Sequence, residues 1–165
     1  MNSLAPVFGI GIGVLILVII LMREKMKTDQ MIQRGYAMKR DLGFYKDCYT
    51  FTSGISDFSA ISSAIDRSIL NERKISFEPN IASGWIVFHN TMTLGTFEAA
   101  LQAAGLRGEK SAYRFQLLSW SGPSGGINRH DMLNANILLT TIEKAFLRLD
   151  ANTSVERERT QIKTK

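Results

Sequence analysis

Ala5–Met22 reads APVFGIGIGVLILVIILM, eighteen residues with no charge and no side-chain hydrogen-bonding group. As a helix it spans about 27 Å, the thickness of a bilayer core. Pro6 suits a first turn, where its missing N–H costs nothing. No basic residue precedes the run, and it ends in Met-Arg-Glu-Lys, not in a small-residue cleavage site. A cleaved signal peptide needs both features, so the stretch predicts a retained single-pass transmembrane helix. Gly9 and Gly13 form a GxxxG, the spacing that lets two membrane helices pack closely.

Outward from this run, Arg23, Lys25 and Lys27 flank its C-terminal side. The positive-inside rule then places the N-terminus outside and the remainder in the cytoplasm, at the plasma or inner membrane. The chain has 165 residues, one cysteine and a formal charge of +5. A lone Cys48 excludes an internal disulfide framework. The basicity is unevenly placed: seven basic against three acidic residues in 23–46, nine against ten in 47–150, and four against two in 151–165. Charge on the flanks and not on the folded part suits anionic lipid headgroups and argues against nucleic acid.

Residues 23–43 are rich in helix formers and predict a basic helical stalk that Gly43 stops. Residues 44–150 predict one α+β domain. Its strands are expected at Cys48–Thr52, Ile75–Glu78, Trp85–His89 and Tyr113–Trp120. Its helices are expected after Ser56 or Asp57, with Phe58, Ile61, Ile65 and Ile69 on one face, and after Thr96, with Phe97, Ala100, Leu101 and Ala104 before Gly105. That order, β-α-β-β-α-β, is ferredoxin-like. An extra C-terminal helix, roughly 128–149, carries Met132, Ala135, Leu139, Ile142, Phe146 and Leu149 as an apolar stripe. Residues 151–165 contain ERER, almost no apolar residue, and read as a disordered charged tail.

No catalytic constellation is visible. Cys48 sits in an apolar strand, and His89 and His130 lie in unrelated elements. No cluster has metal-ligand spacing, and the glycine-rich loops lack the Gly-Lys-Ser/Thr ending of a phosphate loop, so no metal or cofactor is expected. Tyr49, Phe51, Trp85 and Phe88 stand where RNA-recognition folds stack bases, but no basic residue precedes Gly84 and the aromatics at 85 and 88 point to opposite faces. One loop, Ser121–Asn128 (SGPSGGIN), opens the last helix. Ser124, Gly125 and Gly126 could present converging backbone N–H groups to an anion, with Arg129 and His130 in the first turn. Asp131 with Asn128 offers the competing reading, a local cap.

Two functions follow. The first is a membrane-anchored, non-enzymatic assembly subunit. Its partners are membrane lipids, other proteins of a membrane complex and further copies of itself. The second is a membrane-tethered binder or enzyme for an anionic small molecule such as a nucleotide or phosphate, using residues 121–131.

Overall fold

The computed structural model describes residues 5–90, 96–121 and 126–159, with backbone alone at 5–12 and 24. The chain divides into two compact units, residues 1–37 and 38–165.

The first unit is α1, Ala5–Gln33. Gly35 ends it in the left-handed region at φ 72°. There the Tyr36 N–H donates to the Met31 carbonyl and the Gly35 N–H to the Ile32 carbonyl, both at 2.9 Å. This is the paired 6→1 and 5→2 closure that a glycine at this position permits. The helix therefore stops before the expected Gly43, and residues 38–41 have no helical structure. Among the described residues no helix is long and apolar enough to cross a membrane. This overturns the single-pass membrane expectation, together with the localisation and orientation built on it.

The second unit is α+β. A 3-10 turn at Phe44–Lys46 leads into β1, Asp47–Ser53. Two short helices follow, α2 (Phe58–Ala64) and α3 (Arg67–Glu72), where one was expected. The cause is a second cap: Asp57 accepts from the Ser59 N–H, and Asp66 accepts from the Ser68 N–H, restarting the helix. Then come β2 (Ile75–Asn80), β3 (Trp85–Asn90), β4 (Phe97–Arg107), β5 (Lys110–Trp120), α4 (Arg129–Leu149) and β6 (Ser154–Arg159).

All six strands form one antiparallel sheet in the order β2-β3-β4-β5-β1-β6. The ferredoxin-like expectation is corrected at two places. Residues 97–107 form a strand, not a helix. Alanine is a good helix former, but Phe97, Ala99 and Leu101 alternate onto the core face, and ladders to β3 and β5 on both sides decide the outcome. A register shift between Ala103 and Leu106 is where Gly105 takes φ 89°. Residues 154–159, expected as part of a solvated tail, add β6 to the edge of the sheet beside β1.

One face of the sheet receives α4. Ala135, Leu138, Leu139, Ile142, Ala145 and Phe146 enter the core with Tyr49, Phe51, Tyr113 and Phe115. The Phe146 ring stacks on Phe51 with centroids 4.6 Å apart and planes 8° apart, and approaches Tyr113 at 5.2 Å. Leu149, last of the expected stripe, is largely out of the core.

Candidate functional site

At the start of α4, Ser124 and Gly125 lie outside the described residues. Gly126 is half-buried, while Arg129 and His130 are exposed. His130 Nδ1 stands 3.5 Å from Asn134 Nδ2. The centre of this end is instead Asp131, 1% exposed. Its backbone N–H donates to Asn128 Oδ1 at 2.9 Å, and its carboxylate accepts from Asn128 Nδ2 and from Asn90 Nδ2, each at 2.7 Å. Asn90 ends β3, so the bond ties that strand to the helix. Burial pushes the Asp131 carboxyl above its ordinary value, and the two carboxamides and nearby His130 pull it partly back. The helix N-terminus, favourable to an anion, already holds the chain's own carboxylate.

A second polar site was not legible in the sequence, because its halves lie about a hundred residues apart. Residues Met38–Arg40 run along α4 beside Asn136, Thr140 and Glu143, one turn apart on the helix. Asn136 reads the strap backbone in both directions: Nδ2 donates to the Met38 carbonyl at 2.8 Å, and Oδ1 accepts from the Met38 N–H at 3.4 Å. Thr140 Oγ1 also accepts from the Met38 N–H, at 3.2 Å. Arg40 donates through Nε to Asn136 Oδ1 at 3.1 Å and through its terminal nitrogen to Glu143 Oε2 at 2.6 Å. The Glu143 side chain is buried at 7% exposure, and that of Arg40 is largely covered at 12%. The Arg40 guanidinium lies 5.6 Å over the Tyr49 ring. The strap is fastened again from β6, where Arg157 binds both Asp41 and Asp47. Those contacts hold the Asp41 carboxyl below its ordinary value and raise Arg157. The sequence signal was the polar row Asn136, Thr140, Glu143 at one-turn spacing along α4.

The remaining reactive side chains are dispersed. Cys48 is buried beside Arg114, and burial outweighs that cation to push the thiol up. His89 lies on β3, away from both, 4.0 Å from Glu78 and 3.9 Å from Glu98. Among the described residues no three metal-ligating side chains come together.

The last feature is α1. From Val14 to Met22 nine successive apolar side chains are each between 39% and 62% exposed. Nine residues make about two and a half turns, so every face of the helix is apolar. A Cβ built on Gly13 would meet nothing within 4 Å. Gly9, its partner in the GxxxG spacing, belongs to the stretch described by backbone alone. No protein-family model matches this chain, and no curated protein matches it significantly.

Proposed function

We propose that this chain is an assembly subunit, in which α1 packs with the α1 helices of other copies and the α+β unit is carried on the resulting core. The observation that carries the reading is the exposed apolar run Val14–Met22. A helix apolar on one face packs against its own domain; a helix apolar on all faces belongs inside something larger. Single monomeric proteins rarely leave so large a continuous apolar surface to water. The open face at Gly13 allows a neighbouring backbone to come close.

The test is light scattering of the full chain beside a variant carrying Ile16→Gln, Ile19→Gln and Ile20→Gln. The wild type is expected at a defined multiple of the 18.4 kDa protomer, and the variant at one protomer with the same circular dichroism in its β region. A wild type that stays monomeric, or that floats with lipid vesicles and does not self-associate, overturns the reading.

A further inference from the structure

We propose that β6 is a detachable, salt-sensitive clasp over the edge of β1, opening as a unit while the rest of the sheet stays closed. β6 is an end strand of the sheet and has one neighbour, β1, paired from Asp47↔Arg159 to Thr52↔Ser154. All six of its residues are exposed, and none of them joins the core. Its one apolar side chain, Val155, is itself exposed. β1 is held differently: Tyr49 and Phe51 are core residues, and its other edge pairs with β5. What fastens β6 beyond its backbone ladder is charge. Side chains alternate across a strand, so Glu156 and Glu158 share one face and Arg157 takes the other. On the first face both glutamates bind Arg107, the last residue of β4. On the second, Arg157 binds Asp41 of the strap and Asp47 of β1. Of these six side chains only Asp47 is buried. Ion pairs at the surface are weak and weaken further with salt. An element without core contacts, held by such pairs, belongs to the low-stability end of a fold. One opening event releases the end of β4 and the second fastening of the strap together. It also uncovers the edge of β1 from Asp47 to Thr52, a row of backbone N–H and C=O groups.

β1 carries the internal control, because its amides alternate between β5 and β6. Native-state hydrogen exchange of the full chain is measured at low and at high sodium chloride. The β1 amides bonded to β6 are expected to exchange at least about tenfold faster than those bonded to β5, and high salt should speed the first set alone. Arg107→Gln should act as salt does. A staple then identifies the opening. In a Cys48→Ser background, Thr52→Cys with Ser154→Cys places two thiols at directly paired positions of β1 and β6, within the reach of a disulfide. Once oxidised, it should slow the β6-bonded amides to the rate of the β5-bonded ones, and reduction should restore the difference. If the two sets of β1 amides exchange together in the wild type, β6 opens only with the whole unit and the proposal is overturned. A faster set that ignores salt and Arg107→Gln, or that persists in the oxidised staple, overturns it as well.

Discussion

Arg40→Met tests the strap by removing the guanidinium while keeping most of the side-chain length. Glu143 then stays buried on α4 with no cation in its place, and Asn136 Oδ1 loses one of its donors. Removing one partner of a buried ion pair typically costs about 3–5 kcal/mol. The loss expected for Arg40→Met is of that size. The assay is urea unfolding followed by circular dichroism at neutral pH, for wild type, Arg40→Met, and Arg40→Met/Glu143→Leu. The double variant leaves no stranded charge and should recover most of the loss. A deficit under about 1 kcal/mol would refute the claim that Arg40 and the buried Glu143 are coupled.

Phe146→Ala should destabilise the second unit by about 3–5 kcal/mol, measured by the same unfolding assay, because its stacked ring is fully buried; exposed Lys144→Ala should stay within about 0.5 kcal/mol. The raised Asp131 carboxyl means the folded state holds that proton more tightly than the unfolded chain does. Wild type should therefore gain stability relative to Asp131→Asn as pH falls from neutrality towards the ordinary carboxylate range, and a pH series of unfolding midpoints that runs parallel for the two proteins contradicts it. Arg157→Ala should loosen β6, seen as lost hydrogen-exchange protection at the β1 amides that pair with it, with no change in the β3–β4 ladder. With Asp131 already at the α4 N-terminus, added phosphate or nucleotide should leave the melting temperature unchanged; a rise abolished by Arg129→Ala would restore the anion-binding alternative.

Local chemistry is readable wherever a single segment decides its own conformation. The Asp57 cap, the strand at β1 and the stripe Ala135, Leu139, Ile142, Phe146 all follow from nearest neighbours and periodicity. Sequence and structure part where distant partners decide. Phe97–Arg107 has a helical composition, yet two flanking strands supply its hydrogen bonds. ERER looks like a solvated end until β1 offers an edge and Asp41, Asp47 and Arg107 offer counter-charges. Gly35 lies inside a segment rich in helix formers, although a glycine followed by a break in helical character is also a stop signal. Of the candidate anion site, the cap formed by Asn128 and Asp131 is visible from their spacing. The bond to Asn90 is not, because it depends on how β3 ends. The strap seat joins residues 96 to 103 positions apart, beyond the reach of any local pattern.

Association through α1 is tested most directly by a single cysteine on its surface. In a Cys48→Ser background, Ile16→Cys places the only thiol within the exposed apolar run of the full chain. Mild oxidation should convert most of the protein to a disulfide-linked pair, and the same thiol moved to exposed Leu106 on β4 should not cross-link. A folded Ile16→Cys protein that remains a single chain after oxidation, at concentrations where the wild type is studied, would contradict the account.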